Sequence, residues 1–299
     1  MAVVPEYLEI KCESCGATTL IEPLMRTARC PYCDSPSVVD RPATEDRPDP
    51  VFVVPFSVDR ESAARGIRDW LRKRWLAPAV LRRAKPEQVT GVYLPTYLYS
   101  ATSDTMYQAV VGEVYYATRI DPRSKKVRRV RRIEYHEVKG EHACHLQDVV
   151  VTASTGLPNE EIQAIEPFDL DGLRRYSPAM VSGWVSEEPS MSREECLALA
   201  REEGKGWIDG LLRRFLPGDT LSRLKHHTRF KAEALDLTLL PLWVFAIRHH
   251  ADKPPIRFLV NGQTGRVHGS APVAWTKVAA IAVAVLGVLA LLGIVGRLL

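Results

Sequence analysis

The chain has 299 residues, of which 46% are hydrophobic and 25% charged, and its formal net charge is +4 at pH 7. These ordinary values exclude an intrinsically disordered chain, and the length suffices for a main domain of about 200 residues plus a small module. The mild positive charge is compatible with binding to phosphate-bearing surfaces, but it does not distinguish nucleic acid from anionic lipid as the partner.

Two C-x-x-C pairs lie near the start of the chain, Cys12 with Cys15 and Cys30 with Cys33, and fourteen residues separate the pairs. Two such turns direct four sulfur atoms toward one point, which is the geometry of a tetrahedral Zn²⁺ site. Four protein ligands leave no position for water, so the sequence predicts a structural zinc ion in a zinc ribbon, residues 1–39. A dithiol redox pair and two disulfides are the alternatives.

A linker is predicted at residues 40–50, where DRPATEDRPDP holds three prolines and six charges and no large apolar residue. From residue 51 the pattern becomes core-forming, and we expect an α+β body over 51–276. A short apolar strand at 51–56 precedes an amphipathic helix at 58–76. The β-branched and aromatic residues at 91–101 and 106–120, with a polar turn at 102–105, predict a long hairpin.

The segment 119–132, RIDPRSKKVRRVRR, holds eight basic residues and one aspartate. We expect a hairpin tip near 121–125 to expose these side chains to an anionic surface. Lipid head groups, a protein partner, nucleic-acid phosphates and a solvated hairpin without a binding role all remain open, although the run lacks interleaved aromatic residues for base stacking. The candidate binding residues are Arg123, Lys125, Lys126, Arg128, Arg129, Arg131 and Arg132.

Farther along, Ser192 and Glu195 predict a capping box at the start of a helix that runs to about residue 215. Strands follow at 220–230 and 232–249. The motif LPTYLY at 94–99 resembles LPLWVF at 240–245, and each lies on a strand that follows an amphipathic helix. The body is therefore predicted as an antiparallel-sheet α+β arrangement of two related halves.

The last segment, residues 278–295, contains no charged or polar side chain. Eighteen helical residues rise about 27 Å, close to a hydrocarbon core of about 30 Å. With Lys277 and Arg297 at its ends, the segment predicts a single transmembrane tail anchor over 277–299, and a buried core helix is the alternative. The N-terminus has no signal-peptide pattern, so we expect a cell-membrane protein whose other residues face the cytoplasm.

Several motifs together resemble one family, a widespread group of bacterial zinc-ribbon proteins often described as relatives of the primosomal helicase or of transcription factor IIB. They are the cysteine ribbon, PF at 55–56, WLAP at 75–78, GVYLPTYLY at 91–99 and NGQTGRVHG at 261–269. The resemblance implies a membrane-associated accessory protein, with SPFH-type or phage-shock-type proteins among its partners. The chain has no G-x-x-x-x-G-K-[ST] phosphate cradle, so we expect no helicase activity.

Enzymatic signatures such as G-x-S-x-G and H-E-x-x-H do not occur in the sequence. We therefore expect a non-enzymatic, tail-anchored adaptor that recruits partner proteins to the bacterial membrane. The alternative is a membrane-tethered nucleic-acid-binding factor that uses the zinc ribbon and the basic hairpin.

Overall fold

A computed structural model describes residues 8–11, 18–21, 25–29, 35–38, 48–83, 89–120, 127–247 and 256–298. The strands within these residues are β1 (Leu8–Lys11), β2 (Thr18–Ile21), β3 (Thr27–Arg29), β4 (Pro36–Val38), β5 (Phe52–Val53), β6 (Thr90–Ile120), β7 (Val127–Thr152), β8 (Arg174–Arg175), β9 (Val185–Ser186), β10 (Thr220–Ile247), β11 (Ile256–Asn261) and β12 (Val267–Gly269). The helices are α1 (Arg60–Arg72), α2 (Ala79–Arg82), α3 (Asn159–Gln163), α4 (Pro178–Val181), α5 (Arg193–Phe215) and α6 (Trp275–Leu298).

The chain divides into two compact units. The first comprises Met1–Pro95, Ser154–Ser190 and Thr238–Leu299, and the second comprises Thr96–Ala153 and Met191–Leu237. Each unit is assembled from segments that are far apart in the sequence. The motif at 94–99 is divided between the two units and the motif at 240–245 lies in the first, so these units are not the two related halves that the sequence predicted.

A mixed set of strands forms the first unit. β10 pairs antiparallel with β11 and parallel with β5, and β6 pairs parallel with β9. Helix α1 begins at its N-cap Asp59, whose carboxylate accepts a 2.7 Å hydrogen bond from the Ser62 amide. The buried face of α1, which includes Ile67 and Leu71, shares a core with Trp243 and Phe258. The predicted helix is therefore present, because the apolar spacing of its sequence fits one buried face.

Three long strands and one helix form the second unit. β6 and β7 are paired antiparallel from Thr96 opposite Thr152 to Ile120 opposite Val127. Helix α5 covers one face of these strands and begins with the predicted capping box of Ser192 and Glu195. Its buried stripe lies in one core with residues of β6, β7 and β10. The stripe consists of Cys196, Ala200, Gly204, Ile208 and Leu212.

The predicted antiparallel α+β class is corrected to a strand-dominated fold with mixed pairing, since 46% of the described residues lie in strands. One physical reason is visible in β6, where the predicted turn at 102–105 is continuous strand. Its polar side chains alternate between the faces: Asp104 is exposed, whereas Thr105 is buried and its hydroxyl lies 3.0 Å from that of Thr228. A polar run is tolerated in a strand when its buried members find hydrogen-bond partners.

The zinc-ribbon part of the predicted fold is also corrected. Near the N-terminus the structure describes two separate two-stranded sheets, β1 with β2 and β3 with β4. Within the described residues, no group of three or more His, Cys, Asp or Glu side chains could hold a metal ion. Cys12, Cys15, Cys30 and Cys33 lie outside the described residues.

The structure corrects the C-terminal prediction as well. No helix in the described part of the chain combines the length and apolar character needed to cross a bilayer. This finding contradicts the predicted tail anchor at 277–299 and the single-pass membrane location, for which eighteen residues already lay at the short end of the range. Lys277, predicted to flank a membrane span, instead donates from Nζ to the carbonyl oxygen of Trp75 at 2.9 Å and to that of Ala77.

Candidate binding arm

The distal part of the β6–β7 hairpin, residues 115–120 and 127–132, forms a two-stranded arm in the second unit. β10 begins at Thr220, next to Gly112, so within the described residues it does not continue along the arm. The carboxylate of Asp219 accepts a 2.7 Å hydrogen bond from the Val114 amide, and the Asp219 amide donates to the Gly112 carbonyl at 2.9 Å. These bonds fix the base of the arm and leave both of its faces uncovered.

The antiparallel register places a tyrosine opposite an arginine twice in succession. Tyr115 is paired with Arg132, and Tyr116 with Arg131. Directly opposed residues of an antiparallel pair point to the same face, with Cβ atoms about 4.5–5.5 Å apart, whereas neighbours along a strand point to opposite faces. Each face of the arm therefore carries one tyrosine beside one arginine.

Aliphatic side chains extend the exposed surface toward the end of the arm. Tyr116, Ile120 and Val127 have exposed fractions of 65%, 63% and 65%. Ile120 is directly opposite Val127, and the Thr118–Arg129 pair separates these two residues from Tyr116 on the same face. The arm thus offers apolar and aromatic contact area among its cationic groups.

The charge of the arm is of one sign. Its five arginines, which are Arg119, Arg128, Arg129, Arg131 and Arg132, share these two strand segments with no acidic residue. Arg119 is directly opposite Arg128, an arrangement that destabilises an isolated strand pair. A negatively charged group from outside the arm would relieve this repulsion.

The sequence-predicted binding residues are only partly described. Arg128, Arg129, Arg131 and Arg132 lie on the arm and are exposed, whereas Arg123, Lys125 and Lys126 lie outside the described residues. Tyr115 and Tyr116 were missed, because a search along the basic run finds no aromatic residue within it. The register reveals them, since Ile120 lies opposite Val127 and residues at equal distance from this pair become neighbours.

Comparisons with known proteins add little about function. The chain is similar to the uncharacterized protein YdjG of Bacillus subtilis (strain 168), with 25% identity over 233 residues that cover 77% of this chain and 66% of the relative. The chain thus spans just under two thirds of that relative's length. No family model and no solved structure matches the chain.

Proposed function

We propose that this chain is a non-enzymatic adaptor that binds a protein partner with an acidic surface through the arm. The observation that carries the proposal is the pairing of Tyr115 with Arg132 and of Tyr116 with Arg131 on uncovered faces. Arginine and tyrosine are the residues, together with tryptophan, that most often dominate binding energy at protein interfaces.

The composition of the arm agrees with this proposal. Lysine and glutamate are depleted at protein interfaces, and the twelve residues of the arm contain neither. Its remaining residues are mostly tyrosine and aliphatic, which supply contact area at low entropic cost. Arginine also forms bidentate hydrogen bonds with carboxylates, so an acidic partner fits the chemistry better than a neutral one.

The proposal is tested with two charge-reversal variants of the full chain. Arg131→Glu/Arg132→Glu changes the arm, and the matched control Arg68→Glu/Arg72→Glu makes the same charge change on the exposed face of α1. Each protein is immobilised, proteins that bind are identified and quantified, and each candidate is then purified and titrated. We expect at least one purified partner to bind the wild type and the control about tenfold or more tightly than the arm variant. If every partner binds all three proteins equally, the arm is not the binding surface.

Nucleic-acid binding is the second candidate, and the same tyrosines favour it. Bases stack on aromatic side chains, each stack contributing about 1–3 kcal/mol, and the major groove of DNA admits a two-stranded β-ribbon. Fluorescence anisotropy with a labelled 20-nucleotide single strand and a 20-base-pair duplex separates the candidates. Nucleic-acid binding predicts an affinity that falls log-linearly with salt and weakens in Tyr115→Ala/Tyr116→Ala, whereas the adaptor predicts no binding at physiological salt.

A further inference from the structure

From Val127 to Leu146 the outer edge of β7 pairs with no strand of the described residues. β7 has 26 residues and is paired with β6 on one side, and no strand within the described residues pairs with its other side. Every second residue of such an edge directs its backbone N–H and C=O groups outward, where they can pair with another strand. Typical strands have about five or six residues, so an open edge of this length is exceptional.

Two of the usual protections of an edge, a proline and a bulge, do not occur in the charged segment from Val127 to Leu146. From Val127 to Leu146 the pairing with β6 proceeds without a register shift, and this segment contains no proline. The one positive φ angle among the described residues of β7 occurs at Asp148, beyond this segment. A second strand can therefore be added to the edge without encountering a bulge or a missing N–H donor.

Symmetry limits the registers in which β7 can pair with β7 of a second copy. In a two-fold antiparallel pair, opposed side chains point to the same face, so only residues of equal parity can be opposite each other. Each register is therefore centred on one residue, which lies opposite itself. Centres at Arg131, Arg132 or Glu134 place like charges in contact, and a centre at Tyr135 places Arg131 opposite Lys139.

The register centred on Ile133 avoids every such conflict within the segment 127–139. A centre at His136 avoids them as well, but it places only Arg131 opposite an acidic residue, Glu141. The Ile133 register places Arg132 opposite Glu134, Arg129 opposite Glu137 and Arg131 opposite Tyr135, and symmetry makes each pair twice. A centre at Val138 would instead pair Glu137 with Lys139, which already contact each other at 3.9 Å within one chain. The Ile133 register thus gives acidic partners to two arginines that have no ion pair within the described residues.

We infer that β7 pairs antiparallel with β7 of a second copy of this chain, in the register centred on Ile133. The inference rests on the strand edge and on charge complementarity, and it does not depend on the proposed partner binding. Arg119, Arg128 and Arg131 lie directly opposite no acidic residue in this dimer, and the faces of the arm stay uncovered. Residues 127–132 of each chain then lie beside residues 134–139 of the other chain, and the two arms extend in opposite directions from the two-fold axis. The dimer thus carries one arm at each end of a four-stranded ribbon.

Disulfide cross-linking tests the register. In the inferred dimer the two Ile133 Cα atoms lie about 4.5–5.5 Å apart, within the range of a disulfide. The two Val130 Cα atoms are offset by six residues, about 20 Å. Under mild oxidation we expect the full-length Ile133→Cys chain to form a 133–133 disulfide, identified by mass spectrometry of the linked peptides, and Val130→Cys to form no 130–130 link. Equal linking in both variants, or none in either, overturns the register.

Charge exchange tests the same interface without cysteine chemistry. Glu134→Arg places two arginines opposite each other twice, so sedimentation equilibrium should show a dimer dissociation constant raised tenfold or more. Arg132→Glu/Glu134→Arg restores opposite charges and should recover the wild-type constant within about threefold, with circular dichroism confirming the fold of each variant. A monomeric wild type, an unaffected Glu134→Arg variant or an unrestored double variant contradicts the inference.

Discussion

Arg26 and Glu188 form an ion pair that is almost completely withdrawn from solvent. Arg26 Nη2 lies 2.7 Å from Glu188 Oε2, and their side chains are 6% and 3% exposed. Next to this pair the Arg26 amide donates to the Ser186 carbonyl at 2.8 Å, and the Thr27 hydroxyl donates to the Trp184 carbonyl at 2.6 Å. Residues 25–29 are thereby packed into the first unit.

Removing Glu188 should be costly, because the buried Arg26 guanidinium would lose its buried partner and keep only the exposed carboxylate of Asp49, 3.3 Å from Nη1. We expect Glu188→Ala to lower the free energy of unfolding by about 3–5 kcal/mol. Glu61→Ala is the control, since it removes the exposed Arg65–Glu61 pair, and should change stability by at most about 0.5 kcal/mol. Urea denaturation followed by circular dichroism measures both values. If Glu188→Ala and Glu61→Ala lower the free energy of unfolding equally, burial does not make the Arg26–Glu188 pair more important than an exposed pair.

Glu187 should make stability fall as pH rises. Burial raises the pKa of its carboxyl, an effect that the hydrogen bond from Ser154 partly offsets. Since the folded state binds the proton more tightly than the unfolded state, ionisation opposes folding once pH exceeds the unfolded pKa of about 4.3. Glu187→Gln should therefore be more stable than the wild type at pH 7, and the difference should vanish below pH 4 in denaturation curves.

Glu195 provides a control of opposite sign. Hydrogen bonds from the backbone and side chain of Ser192 lower the pKa of its carboxyl. Its stabilising contribution is present above the unfolded pKa and is lost as pH falls through the folded pKa. Glu195→Gln should thus be less stable than the wild type at pH 7. If both glutamine variants shift stability in the same direction, the assigned environments are wrong.

Two nearby glycines of α5 should respond in opposite ways to substitution. A Cβ atom at Gly204 would lie 3.3 Å from Phe230 and 3.6 Å from Leu146, whereas one at Gly206 would meet nothing within 4 Å. Gly206→Ala should raise the free energy of unfolding by about 0.5–1 kcal/mol through lower backbone entropy. Gly204→Leu should lower it by about 1–3 kcal/mol through overpacking. Thermal denaturation of the two variants checks both signs.

The thiol of Cys196 should resist alkylation in the folded chain. It is fully buried on α5, and burial raises its pKa to about 11, so little thiolate forms at neutral pH. Cys144 is half-buried. Peptide mass spectrometry after brief iodoacetamide treatment at pH 8 should find Cys144 modified well before Cys196, and the two should react alike in denaturant. Preferential labelling of Cys196 in the folded protein would contradict its placement in the core.

Local sequence patterns were sufficient for several elements. The capping box of Ser192 and Glu195 begins α5 as expected, because both partners of a cap lie within one helical turn. The β-branched and aromatic residues at 91–101 and 106–120 predicted strand, and β6 includes both segments. The local composition also predicted a turn at 102–105, and this prediction is wrong because β6 is continuous there.

Interactions between distant residues were decided only by the tertiary structure. Arg26 and Glu188 are 162 positions apart in the sequence. The parallel pairing of β5 with β10 likewise joins residues 52 and 53 to residues 238 and 239. The sequence by itself determined where α5 starts and that the distal hairpin is basic, because these properties arise from neighbours in the chain. The tertiary structure alone shows that Tyr115 and Tyr116 lie opposite arginines. Which side chains are neighbours in two paired strands depends on the register of the pairing, and not on how close the residues are in the sequence.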